Sequence, residues 1–508
     1  MNKKVNKKLL FEILAIILIT LFCISLTPKT VQNDVFYTIK IGEHITENKG
    51  IDMVDPFSWH ENLEYTYPHW LYDVMIYLIY NLGGMTGIYI STCALSIILG
   101  ICIYKTNSKL ARNKIVSFVI TIGTMYMLRD YITARAQLVT FILFIVQIFC
   151  IEKLIENREK KYGIVLIAMS ILIANLHVAV WPFTFILYLP YIAEYIIGIL
   201  EEKTAKKYGK EVKQGEKILI HKKDGTKLLI IFMIICLLAG FITPLGATPY
   251  TYLIKTMQGN TTQNISEHQP MVLINCIDVI CTLIIVLAIL TFTNSKISLH
   301  DLLMLGGLFF LMLYSKRQST IFVLIGSVIL NRLIYFWMEK LDKDIDEKLI
   351  NAIINKFGIF MISAAILCLS LYFIKPKLKS EYIDKTLYPV EMSEFILNYT
   401  KENNIKEMRL YNEYNYGSYL LYKGIPVFID SRADLYAPEF NEGTNIFTDF
   451  IESSSLSVYF EDIFEKYNIT HVILYKNSKI NMIIQDAKLE GYKLLKEDDN
   501  FVFYSIEK

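Results

Sequence analysis

The chain has 508 residues, 54% of them hydrophobic, with a formal net charge of +2 and a mean hydropathy of +0.38. That hydrophobicity exceeds what a water-soluble domain carries and excludes a disordered chain, leaving a polytopic α-helical membrane protein. The near-neutral balance conceals basic clusters at 105–114, 153–161 and 203–227, which orient a membrane protein and give no reason to expect nucleic acid. All eight cysteines fall in apolar segments, so neither a disulfide framework nor a thiolate metal cluster is expected.

In chain order, a first apolar run near 10–27 is longer than a signal-peptide core and has no small-residue cleavage site behind it. It reads as a retained span. The loop at 28–68 carries Asp34, Glu43, Glu47, Asp52, Asp55, Glu61 and Glu64 against Lys29, Lys40 and Lys49, whereas the preceding terminus is MNKKVNKK. The positive-inside rule puts that terminus in the cytoplasm and the loop outside. Within the loop, Val35, Ile39, Gly42 and Ile45 recur at helical spacing and predict an interfacial helix with one face on the membrane. Asp34 then either caps the helix or stands ready as a general base, or as a carboxylate holding a divalent cation against a lipid-linked phosphate.

The stretch at 55–73 gathers Asp55, Trp59, His60, Glu64, His69, Trp70 and Asp73. Aromatic rings beside carboxylates suit a sugar, since rings stack on C–H faces while carboxylates accept hydroxyl hydrogens. Trp59 and Trp70 are equally expected as interfacial anchors. His69 and Asp73, four apart, share a helix face and can pair or bind metal.

Further spans are predicted near 86–105, 114–128, 136–153, 162–176, 178–199, 228–245, 272–293, 299–314, 318–336 and 357–375. The run at 70–82 is short. Reading it as re-entrant or interfacial places every basic loop inside and the C-terminus outside, for eleven spans plus one such helix. The charged segment at 203–227 reads as an inner, mobile loop. This topology collects Arg129, Asp130 and Arg135, then Asn175 and His177, then Glu267 and His268, then Lys316 and Arg317 on the outer face. Ionisable groups at membrane depth are costly unless paired or facing water, so they mark a candidate site. Arg129, Arg135 and Arg317 suit a phosphate through the bidentate guanidinium fork, while snorkelling to lipid head groups is their plain alternative. His177 reads equally as a functional or a structurally bonded histidine.

Hydropathy falls from about residue 376, and a domain at 376–508 follows the membrane domain at 1–375. Its patterns predict helices at 390–403 and 479–490 and strands at 408–411, 427–429, 471–474 and 501–505, a small α/β domain. Asp430, Arg432 and Asp434 follow a strand and read as a salt-bridged turn or a ligand-binding edge. Gly417 and Gly424 read as turn residues.

The combination of DVFYTIKIGEHI, DPFSWHENLEYTYPHWLYD, RDYITARAQ, NLHVAVWP, TPLGATPYTY with ISEHQP, and SKRQ resembles the glycosyltransferase C (GT-C) superfamily over roughly residues 1–375. YNEYNYGSYLLYKGIPVFIDSRADLY is similar to a C-terminal module attached to such proteins. The resemblance implies a GT-C-like membrane domain and an enzyme using a polyprenyl-phosphate-linked sugar. It places a base or metal-associated carboxylate at Asp34, with Asp55 next. From their placement on the outer face, Arg129, Arg135, His177 and Arg317 are expected to hold the donor phosphate, and Trp59, His60, His69 and Glu267 to shape the sugar or acceptor site. The acceptor is expected to be an envelope glycan, lipid or protein. The alternatives are a non-catalytic envelope protein that binds glycan or a partner through its outer domain, and, behind it, a transporter.

Overall fold

The computed structural model describes residues 7–208, 217–259 and 264–507. Part of the segment expected as a mobile loop, 209–216, and the basic residues 1–6 lie outside the described residues. The chain divides into two compact units. One comprises Met1–Pro28, Tyr89–Thr243 and Ser266–Lys379; the other comprises Lys29–Ile88, Pro244–Ile265 and Ser380–Lys508.

The first unit is helical. Among the described residues of the whole chain, six helical segments are long and apolar enough to cross a membrane: Lys7–Leu26, Trp70–Leu110, Ala136–Asn157, Val178–Lys207, Lys316–Leu341 and Lys356–Lys379. Four shorter apolar helices, Lys114–Met127, Gly225–Ala239, Ile277–Phe292 and Leu299–Tyr314, join them. At 1.5 Å per residue a helix of 14 to 16 residues covers only about 21–24 Å, so flanking turns are needed to complete a bilayer crossing. Local chemistry sets several ends. Asn113 caps Lys114–Met127 by accepting from the Val116 amide, and Asn355 does the same for Gly358. Gly84, at φ 58° and ψ −150°, breaks the Trp70–Leu110 run, so the short helix expected at 70–82 ends there. All eight cysteines are free.

The second unit holds a four-stranded sheet in the order Leu410–Tyr411, His471–Tyr475, Phe501–Ile506, Tyr492–Glu497. The first pair is parallel and the others antiparallel, with His471 opposite Ser505 and Tyr475 opposite Phe501. Val472, Ile473, Leu474, Val502 and Phe503 are buried at its centre. The strand expected at 427–429 is reduced to a single bridge between Val427 and Ser58. Within 376–508, three α-helices and the edge strand Tyr492–Glu497 were not legible from pattern; one of the helices, Tyr414–Tyr422, contains Gly417. A Cβ on Gly417 would meet the Ile429 carbonyl at 2.0 Å, so this glycine serves close helix packing; Gly424, at φ 82°, is the turn residue.

The loop after the first span contributes the Asn33–Asn48 helix to this second unit. Val35, Ile39 and Ile45 are buried, and a Cβ on Gly42 would meet the Asp73 carbonyl at 2.1 Å. The apolar face expected to lie on the membrane therefore lies on protein, because Gly42 lets another helix approach to contact distance.

Candidate functional site

In the first unit Arg135, Glu267, His268 and Arg317 come together. Arg135 precedes the Ala136–Asn157 helix, and its Nη1 lies 3.2 Å from the Glu267 carboxylate. The segment 267–271 runs beside 313–317: the Arg317 amide donates to the Glu267 carbonyl, Lys316 to Gln269, and Met271 to Leu313. This pairing presents Glu267, His268 and Arg317 together. Burial pushes the Glu267 carboxyl up, but Arg135 and Arg317 outweigh it and hold the acid below its usual range. Burial, reinforced by Arg317, pushes His268 down to about 4, so it is neutral at pH 7. Arg135 and Arg317 thus both act on the one Glu267 carboxylate.

Arg129 and His177 have commitments of their own. The Arg129 guanidinium lies 4.2 Å from the Tyr126 ring centre, donates to the Tyr126 carbonyl and lies 3.4 Å from Asp278. His177 is 2% exposed, with Nδ1 3.0 Å from the Thr140 hydroxyl.

In the second unit, Asp34 lies half-buried in the first turn of its helix; the N-cap position belongs to Gln32, which makes no side-chain cap. Asp55 is enclosed. One oxygen accepts from Arg432 Nη1 at 2.7 Å, and the other accepts from the Ser58 hydroxyl at 2.6 Å and amide at 3.0 Å. Asp430 accepts from Arg432 Nε and Nη2 and from the Tyr436 hydroxyl. Burial alone would raise the Asp55 carboxyl; Arg432 and Ser58 instead hold it below the carboxylate range. Asp434 accepts from the Tyr252 hydroxyl. The charged sequence 430–434 is thus the salt-bridged turn, not an open edge.

The aromatic residues are tied in as well. Trp59 Nε1 donates to the Leu410 carbonyl, and His60 Nε2 donates to that of Phe428, the two rings stacking 4.1 Å apart. Burial pushes His60 down to about 4. His69 stands half-buried before the Trp70 helix, and its carbonyl accepts from the Asp73 amide.

A polar network in the first unit was missed from sequence. His300 Nδ1 lies 2.6 Å from Glu194, while Arg332 spans Asp301 at 2.8 Å and Glu152 at 2.7 Å. The signal was Arg332 itself, a charge inside an apolar run, which demands a partner. Glu152, His300 and Asp301 offer three ligand atoms within 4.8 Å, the spacing of a cation site. Arg332 already supplies the positive charge there, so these residues do not fit a divalent ion without displacing it.

No protein-family profile and no curated protein matches the chain. Among solved structures, the Archaeoglobus fulgidus oligosaccharyltransferase tethered with an acceptor peptide containing the NVT sequon matches with a TM-score of 0.57 at 12% identity, over 98% of this chain and 74% of that one. The likeness shows a fold shared with that enzyme. A second structure of that enzyme, with Zn and sulfate, aligns at a TM-score of 0.49 and 10% identity, over 97% of this chain and 73% of that one. The architecture expected from the sequence, apolar helices with a small C-terminal sheet domain, is present.

Proposed function

We propose that this GT-C protein is a membrane glycosyltransferase that moves a sugar from a polyprenyl-phosphate-linked donor to a glycan, lipid or protein acceptor on the outer face of the membrane. The observation that carries the reading is that Arg135 and Arg317 gather at the partly exposed Glu267, since guanidiniums suit a phosphate leaving group. In the reaction the acceptor oxygen attacks the anomeric carbon and passes its proton to a carboxylate, a role that the sequence resemblance alone gives to Asp34. The bond between that carbon and the phosphate oxygen breaks, and the negative charge left on the lipid phosphate is met by Arg135 and Arg317. Glu267 pairs with the Arg135 guanidinium. Asp55, Trp59 and His60 serve the fold of the second unit, and no step is routed through a metal.

The test is release of lipid phosphate from a panel of radiolabelled polyprenyl-phosphate sugars by the full chain in nanodiscs. Turnover lost in Asp34→Asn with donor binding kept supports the assignment; turnover retained in that variant removes Asp34 from the chemistry. The second reading, a non-catalytic scaffold, draws on how fully Asp55 and Arg432 are used in packing, and it predicts that substitution at Asp34 and Arg135 changes nothing measurable.

A further inference from the structure

The Asn33–Asn48 helix has no side-chain cap at its start, and an isolated helix of 16 residues is marginal in water. Its position must come from what it touches. Asn33 Nδ2 donates to the Tyr414 carbonyl at 3.1 Å, at the start of the Tyr414–Tyr422 helix. Just ahead of it, the Val31 amide donates to the Tyr382 carbonyl and the Val31 carbonyl accepts from the Tyr388 hydroxyl at 3.0 Å. One residue beyond Val35, Phe36 is fully buried among three tyrosine rings: Tyr388 at 4.9 Å, Tyr419 at 5.0 Å and Tyr422 at 5.3 Å. The first two meet it edge-on, the favoured aromatic geometry. Asp34 therefore sits between two anchors, a hydrogen bond at 33 and an aromatic socket at 36, and both anchors belong to the C-terminal module.

We infer that Asn33 and Phe36 are positioning residues through which the C-terminal module fixes the helix carrying Asp34. This rests on the reading of Asp34 as the reactive carboxylate. The module is then a working part of the transferase and not an appended binding domain. Its tyrosines set where the carboxylate stands, and a displacement of about 1 Å is enough to cost a reaction roughly 100-fold.

The experiment uses the full chain in nanodiscs with Asn33→Ala and Phe36→Leu, reading amide hydrogen exchange and the kinetics of lipid-phosphate release together. Expected is exchange across 33–40 faster by at least about fivefold, while strands His471–Tyr475 and Phe501–Ile506 exchange as in wild type, showing that the module stays folded. With it, kcat falls by about tenfold to 100-fold while the donor KM moves by less than about threefold, the split that a displaced carboxylate produces. Unchanged exchange across 33–40 in both variants overturns the inference, as does faster exchange with kcat retained. Should the wild type release phosphate from no donor, the transferase reading fails, and the exchange data still decide whether the module holds this helix.

Discussion

The two arginine–carboxylate clusters have opposite stoichiometry. In the second unit one guanidinium, Arg432, is shared by Asp55 and Asp430; in the first, two guanidiniums, Arg135 and Arg317, face the single carboxylate of Glu267. Exposure separates them further: the Arg432 and Asp55 side chains are 1% and 0% exposed, whereas those of Arg135 and Glu267 are 26% and 37% exposed. A closed cluster whose guanidinium and carboxylates bind one another out of reach of solvent holds a fold together. An open cluster that solvent reaches can take a ligand. Residue type alone does not distinguish the two, and solvent access with charge balance does.

The sharpest way to break the comparison is Arg432→Met, which leaves two buried carboxylates without their counter-ion and should cost about 3–5 kcal/mol, read as a loss of the second unit's cooperative unfolding. Arg432→Lys should rescue little of this, because an ammonium cannot span both carboxylates with a fixed fork. Arg135→Ala and Arg317→Ala should do the reverse, changing stability by under about 1 kcal/mol. Each should nevertheless lower phosphate release by about 100-fold, in the range seen when a charge-stabilising donor is removed. Equal stability losses in both clusters would end the distinction.

A middle-sized effect is expected at Asn441, which donates to the Glu64 and Leu435 carbonyls and accepts from the Glu64 amide. Asn441→Ala should cost about 1–3 kcal/mol in thermal unfolding, with phosphate release unchanged below the transition.

The smallest effect concerns acid. His60 is pushed down to about 4 from an unfolded value near 6.5, so the unfolded chain takes up a proton before the folded one does. Stability from this residue is complete above about pH 6.5 and is lost as the pH falls towards 4. Asp55, held below the roughly 3.9 of an unfolded aspartate, loses its contribution only at still lower pH. His60→Gln should flatten the melting temperature between pH 6.5 and 4 while leaving the steeper acid limb, and an unchanged slope would remove His60 as its source.

Hydropathy made the membrane helices legible, because bilayer thickness forces long apolar runs whatever the tertiary contacts. The strands at 471–475 and 501–506 were legible for a related reason: fully buried strands read as continuous β-branched and aromatic runs. The Asn33–Asn48 helix was placed correctly as a helix, but its apolar face was assigned to lipid, since a period-3.6 stripe does not say whether membrane or protein covers it. Asp55 and Trp59 looked like site residues for the same reason. A carboxylate beside aromatics carries one sequence signature, whether it meets a sugar or an arginine 377 positions away. Arg332 was the reverse case, a charge within an apolar run whose partners, Glu152 and Asp301, lie far away in sequence.

The most direct measurement is lipid-phosphate release from radiolabelled polyprenyl-phosphate sugars by wild type, Asp34→Asn and Arg317→Ala in nanodiscs, with donor binding measured alongside. The account predicts release by the wild type, none by Asp34→Asn despite normal donor binding, and weakened binding with slow release by Arg317→Ala. Equal release by all three, or a wild type that binds no donor, would contradict it.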